Sequence, residues 1–301
     1  MLENWIFLSL LAPLFWAFSN FADKYLLGKH TKGIYDFLFF SSVVSWSWIF
    51  IIGLVLFVGF PELNGFSWIP IVTGILLLYS YGFYGKALEK GDTSALVILF
   101  KLIPVVTVVL AFIFLGQTLS ANEWLGFLVV FAGAIIVSLE KIGSKGFIKG
   151  FWLILIAILI WSVVTVMVDY GLQKIAFWDY FILDIFGQGV GGLSLLLLSP
   201  MRREIIAGVK TGTVKKYNLF MGNNLLDIFG QMSIKKALAI GPSAGLITVV
   251  TQVQSFYAIM IGLTLSIFLP HIIKEDISAN TLVKKLIGAA IMFTGVYILL
   301  T

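Results

Sequence analysis

The sequence predicts an all-α integral membrane protein whose ten transmembrane helices form a 5+5 inverted repeat. Three observations carry that prediction. Sixty per cent of the residues are apolar and only 12% are charged. Apolar runs of about 20 residues recur along the whole chain, the length a helix needs to cross roughly 30 Å of hydrocarbon. The chain also repeats itself: Lys86-Ala87-Leu88-x-x-Gly91-x-x-x-x-Leu96 returns as Lys236-Ala237-Leu238-x-x-Gly241-x-x-x-x-Leu246. Ser120-Ala121-Asn122 returns as Ser278-Ala279-Asn280, Gly126 and Gly133 return as Gly288 and Gly295, and Trp16 has a weaker counterpart in Trp161.

The first repeat, residues 1–141, holds spans at 5–28, 35–59, 67–88, 93–115 and 122–140. The second, residues 147–301, holds spans at 148–173, 178–199, 217–239, 243–269 and 282–300. Each is read as a helix because a backbone in lipid must satisfy its own hydrogen bonds. The gaps are short loops with no aqueous domain. An odd number of spans per half returns the chain to the membrane on the opposite side, so the second half is inverted and the pseudo-two-fold axis lies in the membrane plane. A site between the halves, opened alternately to each side, follows from that symmetry and favours a carrier over an enzyme.

Span by span, the polar residues locate the chemistry. The first span starts after Glu3-Asn4 without a positive n-region and is too long for a cleaved signal peptide. It carries Trp16 and Asn20, while Asp23 and Lys24 are read as interfacial. The third carries Tyr81 and Tyr84. The fourth has Lys101 beside Pro104; this lysine lines a cavity, snorkels to the interface or closes an ion pair. Gly126 and Gly133 in the fifth span, like Gly288 and Gly295 in the tenth, are seven apart on one face and suit close helix packing. The sixth holds Trp161, and the seventh has Asp184 and Gln188 at i, i+4. The eighth span is the most polar: Asn223, Asn224, Asp227 and Gln231 fall on one helix face. The ninth adds Thr251 and Gln252. Each such group costs about 2.5–3.5 kcal/mol at the centre of a span when charged, so Asp227, Asp184 and Lys101 are the first functional candidates. A carboxylate held there can exchange a proton, which makes protons a candidate coupling ion.

Charge and composition bound the rest. Of the 20 Lys and Arg residues, all but Lys174, Lys235, Lys236 and Lys101 follow odd-numbered spans, which places that side in the cytoplasm and both termini outside. The net charge of +5 is spread over loops and meets lipid headgroups, with no nucleic-acid partner implied. Zero cysteines exclude disulfides, iron–sulfur clusters and thiolate metal sites, and the two histidines, His30 and His271, fall in loops. No catalytic constellation, cofactor or metal site is expected. An interior with two acids, one base and many amides suits a small polar or zwitterionic solute, an amino acid or related amine first. A lipophilic cation held by Asp227 against aromatic rings is the second choice. A scaffold or channel would not require an inverted repeat.

At this point the residues carry a resemblance. Phe15-Trp16-Ala17-Phe18-Ser19-Asn20-Phe21, followed by Asp23-Lys24-Tyr25-Leu26-Leu27, resembles the first helix of EamA-type carriers of the drug/metabolite transporter superfamily. Ala87-Leu88-Glu89-Lys90-Gly91-Asp92 followed by Pro104 is similar to their third-to-fourth helix junction. Leu115-Gly116-Gln117-x-Leu119 resembles their Leu-Gly-Glu-x-Leu signature, with Gln117 where Glu is usual. The second half has Gln254 where the first has Pro104 and a longer loop near 270–280. The resemblance implies a secondary carrier, monomer or homodimer, in a prokaryotic plasma membrane. It also implies cytoplasmic termini, against which the charge asymmetry stands.

Overall fold

The computed structural model describes residues 4–56, 59–90, 99–138, 147–268 and 279–299. Gly91, Leu96, Ser278, most of the loop at 270–280 and the linker between the halves lie outside these residues. Within them every regular element is helical. The helices are α1 (Trp5–Lys29), α2 (Ile34–Leu56), α3 (Trp68–Lys90), α4 (Ile103–Leu115), α5 (Ala121–Ser138), α6 (Phe147–Leu172), α7 (Phe177–Ser194), α8 (Ser199–Lys210), α9 (Val214–Ile240), α10 (Ala244–Val250), α11 (Gln254–Phe268) and α12 (Ala279–Ile298). Six stretches are long and apolar enough to cross a membrane, in α1, α2, α3, α6, α7 and the run from α10 into α11. Shorter apolar helices lie at 103–115, 121–136 and 286–298.

Local sequence sets the ends. Asn4 caps α1 by accepting from the Ile6 backbone N–H at 2.9 Å. Thr213 caps α9 by accepting from Lys216 N–H at 3.1 Å, and Ser243 caps α10 by accepting from Gly245 N–H at 3.2 Å. Gly116 closes α4 in the left-handed conformation, φ 65°.

Two spans read as continuous are broken. The fourth is interrupted by a turn at Lys101–Leu102, and α4 starts behind it with Pro104 in its first turn. The ninth is interrupted by a 3-10 segment, Thr251–Val253, between α10 and α11. Hydropathy sees the apolar run on both sides of each break and not the backbone between. The stretch 200–210, read as loop, instead belongs to the amphipathic helix α8, with Pro200 in its first turn. Its Glu204 carboxylate accepts from the Tyr35 and Asp36 backbone N–H groups at 2.6 and 3.2 Å, serving the open N-terminus of α2. Beneath it, the buried Lys216 pairs with Asp36 at 3.1 Å.

Close crossings rest on glycine. A Cβ on Gly133 would lie 2.7 Å from the Gly288 carbonyl oxygen, and one on Gly126 would lie 3.0 Å from that of Gly295. Thus α5 and α12 pack antiparallel along their glycine faces, as the spacing predicts. Elsewhere α1 packs along α9 and α3 along α6, while α3 also crosses α7. At that crossing Gly74 meets the Asp184 carbonyl oxygen and Gly187 meets that of Ile71, which brings Asp184 against Thr73.

Gln117 shows why the chain departs from the Leu-Gly-Glu-x-Leu pattern. Its Nε2 donates to Asp169 Oδ2 at 2.6 Å and its Oε1 accepts from the Ala244 backbone N–H at 3.1 Å. A glutamate would set a second carboxylate against the buried Asp169. Gln117→Glu is expected to lower stability by about 1–3 kcal/mol, the cost of losing a donor to a buried charged acceptor. Thermal melting of purified protein checks this, and Asp169→Asn in the same chain should restore the melting temperature.

Candidate functional site

The polar residues of α9 meet three neighbouring helices. Asn223 faces α1: its Nδ2 donates to Asp23 Oδ1 at 2.6 Å and its Oδ1 accepts from Ser19 Oγ at 3.1 Å. Asn224 turns to α2, donating to the Ser41 backbone carbonyl at 3.0 Å and accepting from Ser41 Oγ at 3.2 Å. It joins helices, while Asn223, Asp227 and Gln231 keep the common face. Asp227, half-buried, accepts from Gln231 Nε2 at 2.6 Å through Oδ2. The indole N–H of Trp16 faces Asp227 without full hydrogen-bond geometry, so it stays buried and unpaired. Gly230 allows this approach, since a Cβ there would lie 2.5 Å from Trp16 Nε1.

Asp23, read as interfacial, is thus joined to the polar face of α9. It lies within electrostatic reach of Asp227, and Trp16, Asn20 and Asp23 fall on one face of α1. Asn20 is exposed on that face. The signal was available in the 16–20–23 spacing, but an adjacent Lys24 and the nearby span end masked it.

A second cluster is fully buried. Asp184 Oδ1 accepts from Thr73 Oγ1 at 2.8 Å, and Oδ2 accepts from Gln188 Nε2 at 2.9 Å. Tyr180 meets the same threonine at 2.9 Å. The ammonium of Lys235 pairs with Asp184 at 3.0 Å and donates to Gln231 Oε1 at 2.9 Å. Gln188 also donates to Gln231 Oε1 at 2.8 Å. Gln231 thus links the Asp184 cluster to Asp227. Lys235, which a charge count assigns to the loop side, is 3% exposed and sits inside the bundle. Sequence reading missed it because it stands beside Lys236, five residues before α9 ends.

Lys101 occupies the break before α4, half-buried, and its Nζ donates to Ser255 Oγ at 2.5 Å. It forms no ion pair among the described residues; the cation at the acids is Lys235. Thr251 and Gln252, in the matching break, bond the Thr248 carbonyl at 2.7 and 3.2 Å. Three of the four aromatic candidates assemble: Tyr81 stands edge-on to Trp161 at 4.9 Å, Phe100 joins Trp161 at 5.5 Å, and Tyr84 joins Phe100 at 4.6 Å, while Trp16 lies apart beside Asp227. Tyr81 lies within electrostatic reach of Asp227 and Asp23, which connects this wall to the acids. Beyond Asn223, toward the N-terminal end of α9, a groove of about 270 Å³ opens between α1 and α9, lined by Ala22, Tyr25, Leu26, Leu219 and Gly222.

The offset from Lys86 to Lys236 pairs Asp227 with Leu77, Gln231 with Tyr81 and Lys235 with Gly85. These polar residues of α9 thus have no charged or amide counterpart at the matching positions of α3. No group of three or more potential metal ligands occurs among the described residues.

Comparison with known proteins bears on the family and the fold. The family model of the EamA-like transporter family matches residues 3–139. Comparison with curated proteins gives no match. A solved chain described as "Crystal structure of protein" is similar over 99% of this chain and 95% of its own length, with a TM-score of 0.69 at 14% sequence identity. At that identity the likeness concerns the fold alone.

Proposed function

We propose that this chain, a member of the EamA-like transporter family and so a transporter and not an enzyme, is a secondary carrier built from two inverted five-span repeats. It moves a small polar or amphipathic metabolite, an amino acid or related amine, by alternating access at the cavity between them. The repeat reading is supported by exchange pairs. Gly126 meets Gly295 while Gly133 meets Gly288, the cross-pairing expected of a self-complementary two-fold contact. In the same way α1 packs on α9 and α3 on α6. The breaks at Lys101 and Thr251 fall at matching places in the two halves, as discontinuous spans do around carrier sites.

The observation that carries the substrate reading is Asp227, a half-buried mid-span carboxylate whose side-chain hydrogen bond comes from a neutral amide. With Asp23 nearby and Trp16 and Tyr81 beside it, the site favours an ammonium group. The aromatic wall also supports the second reading, export of lipophilic cations. Saturable uptake into proteoliposomes with counterflow tests the carrier against a channel, which would give neither. The same assay separates the substrate readings. Lys101→Met should raise KM about tenfold for substrates bearing a carboxylate and leave simple amines unchanged, because an anchoring ammonium matters only to an anion. An equal effect on both would make Lys101 structural.

The basic face formed by α8 and the start of α9, with Arg202, Arg203, Lys210 and Lys215, is assigned to the cytoplasm, and both termini to the outside. The chain has no native cysteine, so Thr211→Cys on this exposed face gives a clean reporter. An impermeant maleimide should label it in inside-out vesicles and not in intact cells; the reverse would place the termini in the cytoplasm.

A further inference from the structure

Three acids, Asp23 on α1, Asp184 on α7 and Asp227 on α9, stand along one polar line, and a single ammonium, Lys235, is bonded into it among the described residues. Lys235 holds Asp184 at 3.0 Å and Gln231 at 2.9 Å, and Gln231 in turn holds Asp227 at 2.6 Å. Asp227 lies in the electrostatic field of both Lys235 and Asp184. Helical side chains lean toward the N-terminus, so Lys235 reaches back along α9 to Gln231, which in turn reaches Asp227, two turns before Lys235. Its four-carbon stem has rotamers to spare.

We propose that Lys235 is the resident counter-ion of the site: its ammonium exchanges between Asp184 and Asp227, and the substrate is an alkylammonium that takes its place at Asp227. This rests on the carrier reading above. With Lys235 on Asp184, the arrangement present in the structure, Asp227 keeps the Gln231 amide as its donor and is open to a cation. The same pair ties α9 to α7 and closes the bundle beside Thr73 and Tyr180. When the substrate leaves, a bare carboxylate in the hydrocarbon is costly. Moving Lys235 to Asp227 shifts that cost to Asp184, which keeps Thr73 and Gln188 as donors, and releases α7. The empty site therefore carries its own cation, of the same chemistry as the substrate. The other groups facing Asp227 are Asp23 and Trp16 from α1 and Tyr81 from α3; none is cationic.

Dicyclohexylcarbodiimide, which consumes protonated carboxyl groups in apolar surroundings, reads the charge on Asp227 without any transported substrate. The rate of Asp227 modification is followed by peptide mass spectrometry at neutral pH, with Asp36 under Lys216 as an internal control for folding. Lys235→Gln and the double variant Asp184→Asn/Lys235→Gln should both label Asp227 about tenfold faster than the parent, because a carboxylate without a neighbouring ammonium is protonated more often. The double variant leaves neither Asp184 nor Lys235 as an unpaired charge and so keeps the test open if the single one does not fold. Asp184→Asn alone, which frees Lys235 for Asp227, should label more slowly than the parent. In Lys235→Gln, n-butylammonium chloride should protect Asp227 several-fold and potassium chloride should not. Parental rates in both lysine variants would make Lys235 a structural partner of Asp184 and overturn the exchange. Lack of protection by n-butylammonium would overturn the assigned substrate class. Because labelling needs no turnover, either failure is distinct from failure of the carrier reading, which flux measurements decide.

Discussion

Asp227→Asn is expected to lower uptake into proteoliposomes by at least about a hundredfold, roughly 3 kcal/mol of lost substrate stabilisation, with little change in melting temperature. The carboxylate has no ion-pair partner within bonding distance among the described residues. Its fold-level contact is acceptance from Gln231 at 2.6 Å, which the asparagine carbonyl can retain. Removing the charge therefore removes attraction for a cation and leaves the helix contacts. The same variant of Asp184 should behave in the opposite way. Asp184 is fully buried and paired with Lys235, so its loss breaks the tie between α7 and α9 and should lower the melting temperature. Two carboxylates in one bundle thus separate by their surroundings into one open to a cation and one that ties helices together. Wild-type flux in Asp227→Asn would show that Asp227 is structural and that the substrate lies elsewhere.

Gly133→Leu should prevent accumulation of folded protein. A Cβ on Gly133 would stand 2.7 Å from both the Gly288 carbonyl oxygen and the Met292 backbone nitrogen. Backbone atoms of a packed helix cannot step aside as a flexible side chain would, so α5 and α12 must separate along their length. In lipid, helices associate through such close packing and not through the hydrophobic effect, so little else compensates. By contrast Gly28, with nothing near its missing Cβ, should accept alanine with little loss. Fluorescence-detected size-exclusion chromatography of the two variants checks the contrast; a monodisperse Gly133→Leu peak at parental yield would contradict the helix–helix contact.

Much of this was legible in the sequence, for physical reasons that also mark where legibility ended. Hydrophobic runs give helices in lipid because nothing else satisfies the backbone, and the paired Gly126–Gly133 and Gly288–Gly295 spacing was sufficient to anticipate a helix contact. Asn223, Asp227 and Gln231 were visible as a stripe because helical periodicity fixes their common face. What periodicity cannot give is which neighbour a face meets. Asn224 therefore met Ser41 on α2. Lys235, read with Lys236 as a span edge, met Asp184, whereas Lys101 met Ser255. Asp23 met Asn223, two hundred residues away in sequence. The breaks at Lys101–Leu102 and Thr251–Val253 were hidden because apolar residues continue across both. Helix α8 was hidden because its polar face lowers its hydropathy to that of a loop.

The most direct test of the central claim, a single site reached in turn from each side, uses Asn20, exposed on α1 one turn from Trp16 and Asp23. In this cysteine-free chain Asn20→Cys gives the sole thiol. Impermeant maleimide is added to oriented proteoliposomes from outside in one experiment and from the lumen in another, with and without the transported amine. Alternating access at this site predicts labelling from both sides, each slowed by the amine. Labelling unaffected by the amine, or possible from one side only under every condition, would contradict it.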